Sequence, residues 1–151
     1  MELAKRILVV DDEPEHCLVV SQALTAAGYQ TAVAHDGPGA IQLSRRERFD
    51  LFLLDIRMEP LTGLQVLQEI RSERPEAQAI MLSAFGDVDL AVRSMRLGAY
   101  DFLSKPVNLD ELLITVHNAI QSSELQNEVK SLRSQLASRD TPDRLLGESS
   151  A

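Results

Sequence analysis

The chain has 151 residues, 44% hydrophobic and 25% charged, which is the balance expected of a soluble globular domain. Its formal net charge of -8 suits a divalent cation or a basic partner surface and lacks the clustered positive charge of a nucleic-acid binder. Cys17 is the only cysteine, which excludes an intrachain disulfide, and no apolar run approaches the ~20 residues of a membrane-spanning helix. We therefore expect a cytoplasmic protein that binds neither nucleic acid nor membrane.

Short apolar runs alternate with amphipathic segments along most of the chain. The strongest runs are continuous rather than alternating, which is typical of strands buried on both faces of a parallel sheet. The predicted strands are residues 7–10, 30–34, 51–54, 79–82 and 100–104. The predicted helices are residues 14–27, 37–48, 63–74, 87–97 and a longer one from 108 onward. This alternation predicts a flavodoxin-like α/β domain, a doubly wound sheet of five parallel strands with five helices.

The composition changes after about residue 120, where large apolar residues begin to recur at intervals of four, three and four. We call this set the seam; its members are Leu125, Val129, Leu132 and Leu136. Two heptads of this kind predict a helix that either packs on its own domain or forms a parallel dimer, and we expect a homodimer. The chain is therefore divided into a domain at 1–121, a linker helix at 122–139 and a final segment at 140–151.

Polar side chains stand at the ends of four predicted strands. Asp11 and Asp12 follow the first strand, Asp55 the third, Ser83 the fourth and Lys105 the fifth. Because all strands of a parallel sheet end at one edge, these residues are expected to converge there. Three converging carboxylates repel each other, and a hard cation such as Mg²⁺ relieves that repulsion. An ionised Asp55 could then attack phosphorus without a general base, while Lys105 and Ser83 hold the phosphoryl oxygens.

Each of these residues also has an ordinary structural explanation. Asp11 or Asp12 could cap the helix that begins at Pro14, and Asp55 could open a turn. A serine at a strand end and a lysine before a proline are uninformative on their own. Their joint occurrence at four strand ends favours the functional interpretation.

The same residues carry a family resemblance. Residues 7–13, 55–58, 83–84 and 98–106 together resemble the receiver domain of two-component response regulators, and the resemblance covers roughly residues 5–121. It implies that Asp55 is the phospho-acceptor. It also implies a Mg²⁺ site made by Asp12, Asp55 and the backbone carbonyl of Arg57, with Asp11 acting through water.

The resemblance further implies a switch and a partner. Ser83 would be the switch hydroxyl, Phe102 the switch aromatic and Lys105 the phosphate-pairing lysine, with a cis peptide bond before Pro106. The phosphoryl donor would be a histidine of a sensor kinase. The chain's own histidines, none of which belongs to a metal-spacing motif, are therefore interpreted as ordinary helix or loop residues: His16, His35 and His117.

Residues 86–92 and 98–102 are similar to receivers of the nitrogen-regulation type. Such receivers precede an AAA+ ATPase that acts on RNA polymerase carrying an alternative sigma factor. Residues 145–150 resemble the first residues of that ATPase domain. We therefore expect a phosphorylation-dependent switch that changes a dimer interface and so controls a downstream, transcription-activating ATPase.

Two positions bear on the lifetime of a phosphoryl group at this site. Glu59 stands where similar receivers usually have proline, and Phe85 occupies a variable position two residues past Ser83. Two rival functions remain: a Mg²⁺-dependent aspartyl phosphatase or phosphotransferase, and an interaction module that keeps the fold without phosphorylation. Enzymes of the dehalogenase type place an acidic residue where Arg57 stands, so we interpret the chain as a regulatory phospho-acceptor rather than an enzyme.

Overall fold

In a computed structural model that describes residues 4–84 and 86–139, without the side chains of 137–139, five strands alternate with five helices. The strands are β1 (Arg6–Val10), β2 (Gln30–Ala34), β3 (Leu51–Asp55), β4 (Ala79–Ser83) and β5 (Asp101–Ser104). The helices are α1 (Pro14–Ala26), α2 (Gly37–Arg46), α3 (Gly63–Glu73), α4 (Val88–Arg96) and α5 (Leu109–Arg139). Every predicted strand and helix is present, with ends within about two residues of the predicted ones.

The strands form one parallel sheet in the order β2-β1-β3-β4-β5, which confirms the predicted flavodoxin-like fold. The chain passes from β2 across β1 to β3, so the direction of winding reverses between β1 and β3. Doubly wound sheets bind ligands outside the carboxyl ends of the strands at this kind of reversal. Asp11 directly follows β1 and Asp55 ends β3, so both lie at that point.

Both faces of the three central strands, β1, β3 and β4, are buried, which explains their continuous apolar runs. One face packs against α1 and α5, and it includes Cys17, which is 2% exposed as expected of a core cysteine. The other face packs against α2, α3 and α4. Alternate residues of β1 and β3 therefore enter different cores, with Ile7 and Leu53 on the first face and Leu8 and Phe52 on the second.

Gly63 fixes the approach of α3 to the end of β3. A Cβ at this position would overlap the carbonyl oxygen of Asp55, so no other residue fits without a shift of backbone. The Gly63 N–H donates to the carbonyl of Ile56 at 2.9 Å. Thr62 and Gln65 then form a reciprocal capping box at the start of the helix. The loop after Asp55 is thus held at both of its ends.

The described part of the chain divides into two units, one that extends to Ile120 and one that begins at Gln121. The predicted final segment at 140–151, including the residues that resemble an ATPase, lies outside the described residues, and so does Phe85. Among the described residues, none of the helices has the length and apolarity needed to cross a membrane.

Candidate functional site

Three carboxylates meet at the carboxyl edge of the sheet, and we call them the acidic cluster. Asp11, Asp12 and Asp55 each contribute an oxygen, and these oxygens lie within 4.8 Å of one another. Asp11 and Asp55 are buried, at 0% and 3% exposed, whereas Asp12 is exposed. The structure therefore brings together residues that the sequence placed at two separate strand ends, with one of the three open to solvent.

The ammonium of Lys105 lies between the buried carboxylates. Its Nζ donates to Oδ2 of Asp11 at 3.2 Å and to Oδ2 of Asp55 at 3.3 Å, and to Oε1 of Glu13 at 2.8 Å. The backbone N–H of Lys105 donates to the carbonyl of Ser83 at 2.8 Å, which continues the pairing of β5 with β4. The following peptide bond, Lys105-Pro106, is cis, as the resemblance implied.

The pKa values of the two buried carboxylates are shifted in opposite directions. Burial and the negative charge of Asp11 raise the pKa of Asp55 to about 7, although Lys105 opposes the rise. Burial also disfavours ionisation of Asp11, but hydrogen bonds from the Glu13 N–H, His16 and Lys105 keep its pKa below the usual value. The positive charge of Lys105 therefore does not fully balance the negative charge of the two buried carboxylates. A further cation would lower the pKa of Asp55.

His16 belongs to this site, although the sequence analysis treated it as an ordinary helix residue. Its Nδ1 lies 2.5 Å from Oδ2 of Asp11, and its side chain is 18% exposed. Its Nε2 is buried and has no hydrogen-bond partner among the described residues. Because α1 begins at Pro14, His16 lies in the first turn, where side chains lean back towards the helix N-terminus. The position of His16 in the first turn of a helix that follows Asp11 was therefore the feature of the sequence that could have indicated this contact.

Neither Asp11 nor Asp12 caps α1, which was the alternative explanation for these residues. The residue at the cap position is Glu13, and no side chain there accepts a hydrogen bond from the helix. Instead, Oδ1 of Asp11 accepts from the Glu13 N–H at 3.0 Å, a local turn that holds the carboxylate in place. The backbone carbonyl of Asp11 meanwhile accepts from the thiol of Cys17 and contacts Nδ1 of His35, each at 3.3 Å.

The two residues assigned to the switch occupy different environments. Ser83 is 5% exposed, and its hydroxyl donates to the carbonyl of Ala84 at 3.3 Å. Phe102, on β5, is 39% exposed. The hydroxyl is thus engaged with backbone and the aromatic ring points outward in this arrangement.

Arg57 makes a long-range ion pair that the sequence analysis did not foresee. Its Nε and Nη2 donate to Oδ1 of Asp87 at 3.0 and 2.8 Å. Asp87 is 7% exposed and immediately precedes α4, and the hydrogen bond from Arg57 lowers its pKa. The backbone N–H of Arg57 also donates to Oδ1 of Asp55 at 3.2 Å. One residue therefore connects the acidic cluster with the start of α4.

Glu59 is exposed, and both Glu59-Pro60 and Lys105-Pro106 are cis peptide bonds.

Beside the acidic cluster lies a cavity of about 660 Å³ between α1 and the start of α5. It is lined by side chains that include Asp12, His16, Val19 and Val107. The lining of the cavity therefore combines acidic side chains with apolar ones.

Comparisons with known proteins agree on one family. The family described as "Response regulator receiver domain" matches residues 7–117. The transcriptional regulatory protein ZraR of Klebsiella oxytoca is 38% identical over 119 residues, which cover 79% of this chain and 27% of that protein. The nitrogen assimilation regulatory protein NtrX of Azorhizobium caulinodans is 37% identical over 133 residues, which cover 87% and 29%.

Solved structures give the same result. The crystal structure of NtrX from Brucella abortus in complex with ADP has a TM-score of 0.83 and 35% identity, covering 96% of this chain and 31% of that one. A CheY-like response regulator receiver domain from Methanospirillum hungatei has a TM-score of 0.79 and 28% identity, covering 82% and 99%. The chain thus spans less than a third of the curated relatives named above, and it aligns with a separate receiver domain over nearly all of that domain's length.

Proposed function

The chain belongs to the response regulator receiver family, and from this we propose that it is a phosphorylation-dependent switch whose phospho-acceptor is Asp55. The observation that carries the proposal is the setting of Asp55. It is a buried carboxylate at the end of β3, and one of its oxygens lies within 4.8 Å of an oxygen of Asp11 and of Asp12. Its Oδ2 lies 3.3 Å from the Lys105 ammonium. The donor would be a phosphohistidine of a partner sensor kinase, seated over the acidic cluster and the adjoining cavity.

The residues at the site fit a magnesium ion. The acidic cluster offers only oxygen ligands, which hard cations prefer, and burial leaves Asp55 with a raised pKa that such a cation would lower. Asp12, Asp55 and the carbonyl of Arg57 would hold the ion directly, and Asp11 would hold it through water. When bound, the ion would neutralise charge on the transferring phosphoryl group.

The transfer itself needs little from the chain beyond placement and charge. An oxygen of the ionised Asp55 carboxylate attacks phosphorus, and the P–N bond to the donor imidazole breaks with its electron pair left on nitrogen, which is then protonated. An ionised carboxylate has no proton to lose when it attacks, so no general base is required. Lys105, which already contacts Asp55, pairs with a phosphoryl oxygen and stabilises its charge.

The positions of Ser83 and Phe102 support the proposed switch. A phosphoryl group on Asp55 offers the Ser83 hydroxyl a charged acceptor in place of the Ala84 carbonyl. Movement of Ser83 and its loop leaves room for Phe102 to pack inward. These movements then change the surface made by α4, β5 and the first turns of α5. Val88 and Val92, on α4, are exposed on it. Phosphorylation shifts the population between these two arrangements.

The output proposed for this switch is dimerisation. Exposed apolar residues on α4 and the seam on α5 are surfaces that a second copy of the chain would cover. The relatives named above are transcriptional and nitrogen assimilation regulators that are more than three times as long as the matched region. In a full-length protein of this kind, the dimer would control a downstream transcription-activating ATPase.

The proposal is tested by intact mass after incubation with acetyl phosphate and Mg²⁺. We expect a gain of one phosphoryl group, which is lost in Asp55→Asn and without the metal. Asp110→Asn, an exposed position on α5, is the matched control and should be phosphorylated normally. No adduct under any condition would favour the interaction module, and sustained turnover of a small phosphorylated substrate would favour an enzyme.

A further inference from the structure

A groove of about 490 Å³ lies between α3 and α4, and we call it the α3–α4 groove. Its apolar lining consists of three leucines that belong to the core or pack against it: Leu64, Leu90 and Leu97. The rest of the described lining is polar and comes from both helices. None of the lining residues belongs to the acidic cluster or to the seam, so the groove is a separate feature of the molecule.

The α3 side of the groove offers hydrogen-bond donors. The capping box already uses Oγ1 of Thr62, which accepts from the Gln65 N–H at 3.3 Å, and Oε1 of Gln65, which accepts from the Thr62 N–H at 2.9 Å. These two side chains still have the hydroxyl hydrogen of Thr62 and the amide NH₂ of Gln65 to donate. Gln68, one turn further along α3, is exposed and adds a second amide. This side of the groove therefore favours a ligand that accepts hydrogen bonds.

The α4 side of the groove is positively charged. Arg93 and Arg96 are exposed and lie one turn apart, and neither guanidinium has an ion pair or hydrogen bond within the part of the chain that the structure describes. No acidic residue is among the described residues that line the groove, although the chain has 23 acidic residues and 15 basic ones. The groove thus carries the opposite charge to the whole chain. A guanidinium suits a carboxylate in particular, because it can donate two parallel hydrogen bonds to it.

The size of the groove favours a small ligand over a segment of another protein. Its lining on α4 runs from Leu90 to Arg96, about 9 Å of helix at a rise of about 1.5 Å per residue. Specific protein interfaces bury roughly 1,200–2,000 Å² in total, which asks for a longer groove. Sites for small molecules commonly enclose about 300–1,000 Å³ and combine an apolar lining with a few polar groups.

We propose that the α3–α4 groove binds a small amphiphile with a carboxylate head, whose apolar chain lies over the three leucines and whose carboxylate is held by Arg93 and Arg96. The free amide hydrogens on α3 would donate to the same head group. Binding there needs no phosphoryl group on Asp55, so the site goes beyond the proposed switch and does not depend on it.

Octanoate is the probe, and leucine methyl NMR of the full chain reports where it binds. We expect saturable shifts of the methyl groups of Leu64, Leu90 and Leu97, while those of Leu125 on the seam stay unchanged. Octanol and octyltrimethylammonium have the same chain with a neutral or a positive head. They should bind at least about tenfold more weakly, because they lack the charge-assisted hydrogen bonds of a carboxylate.

Substitutions at exposed positions test the two sides of the groove without disturbing the core. Gln68→Glu replaces an amide by a carboxylate that repels the ligand, and Arg96→Gln removes a positive charge. Each should weaken octanoate binding by about tenfold. Gln42→Glu and Arg46→Gln make the same two changes at exposed positions of α2, and these matched controls should bind octanoate as the wild type does.

Several results would overturn the proposal. Without saturable shifts at the three leucines, octanoate has no site in the groove. Equal affinity for octanol and octanoate would overturn the role of the positive charge, and wild-type affinity in both Gln68→Glu and Arg96→Gln would overturn the location. Binding of an acidic helical peptide or of phosphatidylglycerol vesicles, with no binding of octanoate, would overturn the small-molecule occupant. Each of these results leaves phosphorylation of Asp55 untouched, because acetyl phosphate tests it separately.

Discussion

The ammonium of Lys105 lies 3.3 Å from Oδ2 of Asp55, a residue 50 positions earlier in the chain. The same Nζ lies 3.2 Å from Oδ2 of Asp11, so one positive charge serves two buried carboxylates that repel each other. A site built in this way is stable only while positive charge remains in it, and its affinity for a cation follows from the same imbalance.

Removing the ammonium should destabilise the metal-free protein. Lys105→Met leaves Asp11 and Asp55 buried without a counter-charge, and we expect the free energy of unfolding to fall by about 2–4 kcal/mol. Mg²⁺ should recover part of this loss, since it supplies positive charge to the same carboxylates. Urea unfolding with and without Mg²⁺ measures both effects, with exposed Lys130→Met as the control. An equal loss in both conditions would contradict the assigned metal site.

Neutralising Asp55 should stabilise the metal-free protein, and more so as pH rises. Its pKa is near 3.8 in the unfolded chain and about 7 in the fold, so the folded state binds more protons between these values. Stability therefore falls as pH rises from about 4 to about 7, and Asp55→Asn removes that contribution. We expect the variant to gain on the order of 2–4 kcal/mol over the wild type by pH 8.

Chemical unfolding in a chelator across this pH range measures the difference between the two proteins. Asp110→Asn, on the exposed face of α5, should follow the wild type throughout. Addition of Mg²⁺ should shrink the advantage of Asp55→Asn, because the cation stabilises the ionised carboxylate. A difference that does not vary with pH would mean that Asp55 is not held in the environment described.

His16 should support metal binding through Asp11. Its ring nitrogen holds Oδ2 of Asp11 at 2.5 Å, and groups that orient a metal-binding carboxylate commonly contribute about tenfold or more to affinity. We expect His16→Ala to weaken Mg²⁺ binding by about tenfold in calorimetric titration. His16→Asn, whose amide can still donate, should retain part of the affinity. Exposed His117→Ala is the control, and wild-type affinity in His16→Ala would refute the role.

The Arg57–Asp87 pair should stabilise the first turn of α4. Asp87 immediately precedes that helix, where a negative charge is favourable, and Arg57 fixes it there. Asp87→Asn weakens both effects, so amide hydrogen exchange should become faster over residues 88–91 than in the wild type. Asp89→Asn, at an exposed first-turn position, is the control, because it removes a negative charge from the same turn without breaking the ion pair. Equal acceleration in the two variants would show that the ion pair contributes nothing specific.

The sequence predicts the fold and the centre of the site for a single physical reason. Buried parallel strands are recognised by their continuous apolar runs, and their carboxyl ends must share one edge. Asp11 and Asp55 each stand at the end of such a run, and Lys105 follows a weaker predicted strand, so their convergence follows from topology alone. No knowledge of loops or rotamers is needed for that step.

The contacts of His16 and the Arg57–Asp87 pair could not be predicted in the same way. The first depends on how the turn after Asp11 directs the first residues of α1. The second joins two loops that are 30 positions apart and whose paths are set by local packing, including the close approach of Gly63 to Asp55. Strand order places loops on the same edge of a sheet but does not determine which side chains meet across them.

The position of the phosphoryl group on the chain decides whether Asp55 is the phospho-acceptor. The protein would be incubated with acetyl phosphate and Mg²⁺ and then reduced with borohydride, which converts an aspartyl phosphate to homoserine. Peptide mass spectrometry would then identify the modified position. We expect homoserine at Asp55 and at no other aspartate. A product at Asp11 or Asp12, or a phosphoryl group on His16 with Asp55 unmodified, would contradict it.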